Sequence, residues 1–225
     1  MPRVTTAFAA ALALFMPIGR PLLVGLTPAV GIGAGLLSTH IAYAQTADDW
    51  SESAFKKYNA GNYQGAVADY TKAIEINPSD ADLYYYRGGA KEDLKDYQGA
   101  IADYTKAIEI DPQYASAYLN RGLTKRNLKD YQGAIADYTK AIEINPSDAD
   151  WYSFRGFAKS QLEDYKGAID DYTKAIEIDP LDQYFYIGRA ANKVFLGDPQ
   201  GSCSDLRKAA DLGHTYAIEW VRKQC

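Results

Sequence analysis

The stretch DYQGAIADYTKAIEI at residues 96–110 returns unchanged at 130–144, and close variants stand at 62–76 (NYQGAVADYTKAIEI) and 164–178 (DYKGAIDDYTKAIEI). Each copy ends on an acidic or amide residue before proline. These pairs are Asn77-Pro78, Asp111-Pro112, Asn145-Pro146 and Asp179-Pro180, spaced by 34 residues. A fixed period of that size marks a stack of like supersecondary units, in which each unit buries its apolar face against the next. The chain therefore reads as one array, although 225 residues could hold two domains.

Within one period the apolar pattern resolves into two helices. Residues 81–94 form the first, helix A. Residues 97–110 form the second, helix B, with Tyr97, Ala100, Ile101, Tyr104, Ala107 and Ile108 on one stripe of a 3.6-residue helix. Pro112 cannot continue helix B and turns Asp111 away from α geometry. Ser79 or Asp80, and Ser147 or Asp148, are placed to cap the following helix A, with Asp82 and Asp150 in its first turn. The A–B turn falls at Gly61-Asn62, Lys95-Asp96, Lys129-Asp130, Glu163-Asp164 and Gly197-Asp198. A left-handed residue there costs Lys95, Lys129 and Glu163 about 1 kcal/mol each. Gly65, Gly99, Gly133, Gly167 and Gly201 recur in the first turn of helix B. They read as an exposed position copied by duplication, with close approach of a partner backbone as the alternative.

These residues carry a resemblance to the tetratricopeptide repeat family over residues 47–182. Its signature aromatic and glycine on helix A, then alanine, aromatic, alanine and proline on helix B, correspond to Tyr84, Gly88, Ala100, Tyr104, Ala107 and Pro112. The next unit supplies Tyr118, Gly122, Ala134, Tyr138, Ala141 and Pro146, and the one after it Tyr152, Gly156, Ala168, Tyr172, Ala175 and Pro180. The first unit has Trp50, Ala54, Ala66, Tyr70, Ala73 and Pro78, with Ala54 in place of the glycine. The resemblance implies an all-α fold, a right-handed α-solenoid of antiparallel helix pairs, with units at 47–80, 81–114, 115–148 and 149–182. Residues 183–225 read as a degenerate fifth unit followed by a capping helix, with Ser202 and Leu206 replacing alanine and tyrosine and no closing proline. The segment ADLGHTYA at 210–217 is also similar to the end of a Sel1-like repeat.

The same resemblance implies a scaffold that binds a peptide segment of a partner protein in a concave groove lined by the A helices. The alternative is a structural, self-associating module with no dedicated peptide ligand. The expected groove residues are Phe55, Tyr85, Tyr86, Leu119, Asn120, Leu123, Phe154 and Phe157, an aromatic and apolar strip of the kind that marks binding surfaces. Its other members are Glu52, Tyr58, Asp82, Gly89, Asp93, Arg126, Asn127, Ser153 and Gln161. Some of these rings are expected to pack between neighbouring A helices instead. Relatives that grip a C-terminal carboxylate use lysines and asparagines on successive A helices; only Asn120 matches that set here.

No catalytic constellation is legible. The two histidines, His40 and His214, lie far apart in sequence, and no HExxH, P-loop, GxSxG or CxxC motif occurs. Neither a metal nor a cofactor is implied, the chain reads as no enzyme, and a small-molecule substrate is not expected. His214 reads as a surface or helix-capping residue. Asp103, Lys106 and Glu109, echoed at Asp137, Lys140, Glu143 and at Asp171, Lys174, Glu177, read as a solvated i,i+3 ladder. Arg87, Arg121 and Arg155 are expected to pair with acids on the neighbouring helix rather than to edge the groove. The net charge of −5 argues against nucleic acid and against an anionic membrane surface.

Residues 1–44 stand outside the array. They hold two apolar stretches, 7–18 and 22–37, split by Gly19-Arg20-Pro21, and end on Ala42-Tyr43-Ala44. Small residues three and one before a cut suit signal peptidase, so the segment reads as a signal peptide cleaved between Ala44 and Gln45, with an uncleaved membrane anchor as the alternative. The expected location is periplasmic, lumenal or secreted. The only cysteines, Cys203 and Cys225, are then candidates for a disulfide, the alternative being two unrelated small core residues. Helices at 199–212 and 215–224, antiparallel about Gly213-His214, would bring the two to the same end of a hairpin. N-terminal sequencing of the native protein should give Gln45; a start at Met1 in a membrane fraction would replace cleavage with anchoring.

Overall fold

The computed structural model describes residues 45–225; the signal-segment reading lies outside them. Eleven helices and no strand occur among the described residues, all within one compact unit. The A helices are α1 (Ala47–Asn59), α3 (Ala81–Asp93), α5 (Ala115–Asn127), α7 (Ala149–Gln161) and α9 (Gln183–Phe195). The B helices are α2 (Tyr63–Ile76), α4 (Tyr97–Ile110), α6 (Tyr131–Ile144), α8 (Tyr165–Ile178) and α10 (Pro199–Asp211), and α11 (Thr215–Gln224) closes the array. Each A helix packs on its own B helix, and each B helix on the next A helix. Consecutive A helices also touch, α3 with α5 and α7 with α9, which makes the A layer the inner layer of the α-solenoid.

The core is built from small residues and tyrosines. Ala66, Ala100, Ala134 and Ala168 are fully buried, and Tyr104 and Tyr138 are as well. The glycine of helix A is required by this packing: a Cβ on Gly122 would stand 2.7 Å from the Tyr138 ring. Helix A tyrosines close three of the four junctions between units. The hydroxyls of Tyr84, Tyr152 and Tyr186 donate to the carbonyls of Pro78, Pro146 and Pro180, at 3.2, 3.3 and 3.2 Å.

Lys95, Lys129 and Glu163 do adopt the left-handed conformation, each with φ of 63°. The turn is held from both sides. Lys95 N donates to the Glu92 carbonyl and Asp96 N to the Lys91 carbonyl, at 2.8 and 2.9 Å. Asp96 then caps α4 by accepting from Gly99 N at 3.0 Å. This cap explains the recurrent glycine, and neither expectation for it is complete. With ψ near 70° at the cap, a Cβ on Gly99 would collide with the Asp96 carboxylate. Gly65, Gly133, Gly167 and Gly201 stand in the same relation to Asn62, Asp130, Asp164 and Asp198. The A helices that follow Pro78 and Pro146 are capped by Asp80 and Asp148 rather than by Ser79 or Ser147.

The expected solvated ladder divides in two. Lys106–Glu109, Lys140–Glu143 and Lys174–Glu177 are exposed pairs, as expected. Asp103, Asp137 and Asp171 are not part of them, because each is buried beneath its own helix A. Arg121 meets Asp137 with two parallel bonds, Nε to Oδ2 at 3.0 Å and Nη2 to Oδ1 at 2.6 Å, and Lys125 adds a third at 2.8 Å. The remaining Arg121 nitrogen, Nη1, donates to Thr105 of the preceding unit at 3.0 Å. Arg87, Arg155 and Arg189 repeat the pattern with Asp103, Asp171 and Asp205 and with Thr71, Thr139 and Thr173. The pairing expected for Arg87, Arg121 and Arg155 is therefore present.

At the C-terminus, Cys203 and Cys225 lie at disulfide distance with Cα atoms 5.6 Å apart. Their separation of 22 residues closes a loop worth about 3 kcal/mol in the chain-entropy account. Arg207 donates to the Cys225 carbonyl at 3.0 Å, and His214 caps α11 by accepting from Ala217 N at 3.2 Å.

Removing Arg121 leaves Asp137 buried with Lys125 as its only cation, and losing half of a buried pair costs about 3 kcal/mol or more. Urea unfolding should therefore show a loss of about 3 kcal/mol for Arg121→Ala and under about 0.5 kcal/mol for Lys140→Ala in the exposed ladder. Equal effects would refute this division of the charges.

Candidate functional site: the inner face of the A helices

The inner face begins with five rings from the first two units. Phe55, Tyr58, Tyr70, Tyr85 and Tyr86 line a cavity of about 220 Å³ with Gly89 and Asn120. The rings brace one another. Tyr70 and Tyr86 stack with centroids 6.1 Å apart, and Tyr85 meets Tyr86 at 5.3 Å and Tyr114 at 4.9 Å. Asn120 donates to the Tyr85 hydroxyl at 3.0 Å and thereby ties the third unit to the second. Phe55 is 53% exposed and Tyr86 44%, so these two present open faces while Tyr85 forms the wall behind them. Burial pushes the Tyr70 hydroxyl up to about 12, with Tyr86 adding to the effect.

The cavity has a simple origin. Phe55, Leu123 and Phe157 occupy one register position on successive A helices, and Gly89 occupies it on α3. A Cβ at Gly89 would meet nothing nearer than the Tyr104 hydroxyl, at 3.8 Å. The space is therefore a missing side chain rather than a close approach of helices.

The other expected groove residues divide. Leu119, Leu123 and Phe154 are partly buried against Ala134, Tyr138 and Ala158 and help to seat α7 on the preceding unit. Phe157 is 41% exposed at the same inward register position as Phe55, and it does not line the cavity. The structure thus brings Phe55, Tyr85, Tyr86 and Asn120 together around one cavity, and leaves Leu119, Leu123, Phe154 and Phe157 as a separate stretch further along.

Glu92 is missing from the expected groove set, which names its neighbour Asp93 instead. Position twelve of each unit points inward, and in the second unit that position is Glu92. It is half-buried and accepts from the Tyr104 hydroxyl at 3.1 Å. Burial raises its carboxyl, opposed by the hydrogen bonds from Tyr104 and Thr124 and by the charge of Arg126. Asp93 instead meets the Tyr58 hydroxyl, which burial and that carboxylate together push well above the usual phenol range.

The raised Glu92 carboxyl has a sign that can be checked. The folded state holds that proton more tightly than the unfolded chain does. The associated stability is present below the ordinary value of 4.5 and is lost as pH rises through the folded value. Glu92→Gln keeps an acceptor for Tyr104, so it should raise the unfolding midpoint at pH 7, with the gain vanishing at a pH below 4.5. A gain that is the same at both pH values would assign the effect to something other than this carboxyl.

No group of three or more histidine, cysteine or acidic residues is disposed to hold a metal ion among the described residues, and no described helix is long and apolar enough to cross a membrane. Comparison with known proteins agrees with the geometry. No protein of curated function matches the sequence. The chain superposes on the crystal structure of MamA protein with a TM-score of 0.71 and 22% identity, over 80% of this chain and 96% of that one. Residues 41 to the end of MamA from Desulfovibrio magneticus RS-1 superpose with a TM-score of 0.71 and 21% identity, over 76% and 97% of the two chains. YrrB, described as a TPR protein with an unusual peptide-binding site, superposes with a TM-score of 0.70 and 20% identity, over 78% and 92%. Family models described as tetratricopeptide repeat match residues 115–148 and 149–180, and one described as TPR repeat matches 56–95 and 93–128. By these matches and by its stacked helix pairs, the chain belongs to the tetratricopeptide repeat family.

Proposed function

We propose that this protein is a scaffold that holds an extended segment of a partner protein along the inner face of α1, α3, α5 and α7, with one large apolar side chain anchored in the cavity beside Gly89. One observation carries the reading: helix B is copied almost unchanged from unit to unit, whereas the inward positions of helix A vary between units. Helices α4 and α6 are identical over all 14 residues. Inward position nine, by contrast, runs Phe55, Gly89, Leu123, Phe157, and position twelve runs Tyr58, Glu92, Arg126, Ser160. Part of the variation is packing, since the buried position of Leu83 also holds Ala117 and Trp151, but Gly89 is not explained that way, because a Cβ there would meet nothing nearer than 3.8 Å.

The cavity supports a peptide rather than a free small molecule. At about 220 Å³ it falls below the ~300–1,000 Å³ of most small-ligand sites and suits a single leucine- to phenylalanine-sized group. The peptide-binding site in the description of YrrB points the same way. Export of residues 45–225 forms part of this reading, because an oxidising compartment suits the Cys203–Cys225 pair. A second reading, self-association through the C-terminal end, is favoured by Leu181, Tyr184, Tyr216 and Trp220, which are 75, 62, 79 and 57% exposed. Sedimentation of the full chain separates the two readings.

Gly89→Leu is the sharpest test. It fills the cavity from a position with room for a Cβ and removes a mid-helix glycine, so stability should hold or rise by up to about 0.8 kcal/mol. Peptides selected on the full chain from a random display library should carry a large apolar anchor and bind the variant at least about tenfold more weakly. Unchanged peptide affinity in Gly89→Leu would reject the cavity as the anchor site.

A further inference from the structure

The bond between Glu92 and Tyr104 has a counterpart one unit later in which the acceptor is missing. Residues 126 and 138 follow 92 and 104 by 34 positions, so Arg126 stands to Tyr138 as Glu92 stands to Tyr104. Tyr138 is fully buried, and its hydroxyl has no hydrogen-bond partner among the described residues. Arg126 cannot supply the acceptor that Glu92 supplies, since a guanidinium only donates, and it makes no bond to the hydroxyl oxygen either. A buried hydroxyl without a partner is costly, and its presence asks for an explanation.

Arg126 is itself without an anion. It makes no ion pair among the described residues, and its guanidinium carbon lies 5.7 Å from the centre of the Phe154 ring. The Phe154 ring in turn lies 6.1 Å from that of Tyr138. Glu92 senses the charge of Arg126 but is engaged by Tyr104 and Thr124. One cation, one unpartnered hydroxyl and one aromatic face therefore meet between the third and fourth units.

We propose that Arg126 and Tyr138 form a subsite for an acidic side chain of the bound segment, the partner supplying the carboxylate that Glu92 supplies within the chain one unit earlier. The proposal rests on the peptide-binding reading above. A single carboxylate fits the donors: the guanidinium offers a fork of N–H groups, and the hydroxyl offers one more bond. The Phe154 ring flanks the subsite, so the acidic residue should have an apolar neighbour. The nearby carboxylate of Glu92 and the net charge of −5 disfavour a multiply charged anion in its place.

The test uses two synthetic peptide pools, each randomised over Ala, Ser, Leu, Phe, Tyr and Pro, with Glu fixed at the centre of one and Gln at the centre of the other. The full chain should bind the Glu pool about tenfold more tightly than the Gln pool. Arg126→Gln should abolish the difference, and Arg126→Lys should retain part of it. Tyr138→Phe keeps the ring and removes the unpartnered hydroxyl, so its unfolding midpoint should hold or rise while its affinity for the Glu pool alone falls severalfold. Equal binding of the two pools to the native chain, or a Glu preference that survives Arg126→Gln, overturns the subsite. If that equal binding is still lost in Gly89→Leu, the groove reading stands without the subsite. If neither pool binds the native chain, both fall.

Discussion

The array depends on a partly buried arginine that reaches in two directions. Arg87, Arg121, Arg155 and Arg189 each hold an aspartate of their own unit with a bidentate pair and a threonine of the unit before with the remaining nitrogen. The planar fork makes this possible, because its five donors are fixed in direction and cannot be satisfied by one carboxylate alone. A lysine in its place would neutralise the aspartate but would not bridge the units. The bridge therefore sets register as well as holding charge: a unit slid by one residue would offer the guanidinium no hydroxyl. Apolar packing of near-identical alanines and tyrosines is less selective, since several rotations of one helix pair on the next bury similar area. Buried polar groups that specify an arrangement at little net gain in stability are known elsewhere, and this cluster has that character.

The rest of the unit accommodates that bridge. The close crossing of helices A and B that brings Arg121 over Asp137 leaves no room for a Cβ at Gly122. The sharp turn before helix B forces a left-handed residue, and the aspartate that follows recovers a helix cap at the expense of a glycine three residues on. Three of the five turns use Lys or Glu where glycine would be unstrained. Strain at that site is tolerated because the flanking helices fix both its neighbours.

Periodicity alone makes the architecture legible. Helix B is matched end to end, helix A differs by one residue at its C-terminus, and the alanine, glycine and tyrosine positions fall in the core as the repeat signature implies. Charges are harder to read. Asp103 and Glu109 stand at equivalent spacing from Lys106, and only the depth of Asp103 beneath Arg87 separates a buried aspartate from an exposed ladder. A signal is present in the chain: arginine recurs 16 residues before each of these aspartates, but not before Asp69. The inner face is legible as a register, yet not as a division of labour. Leu119, Leu123 and Phe154 share that register with Phe55 and Tyr86, and what separates seam from cavity is the single missing side chain of Gly89. Glu92 is hard to single out in the sequence because Asp93 is also acidic and lies one place along.

The two ends of the arginine bridge differ from its middle, and the difference fixes where the array can grow. Ser53 stands in place of the first arginine and contacts Asp69 at 2.6 Å without reaching backward. Arg207 stands where a further threonine would be and binds the Cys225 carbonyl. Every internal unit carries both halves of the joint. A 34-residue duplication between Asn77 and Asp179 thus arrives with its own arginine, aspartate, lysine and threonine and mates with both neighbours. A duplication outside the termini of the bridge meets a serine or an arginine that cannot mate. Gain or loss of a whole internal copy would therefore change the length of the inner face by one register of inward side chains, while the joints at Ser53 and Arg207 stay as they are.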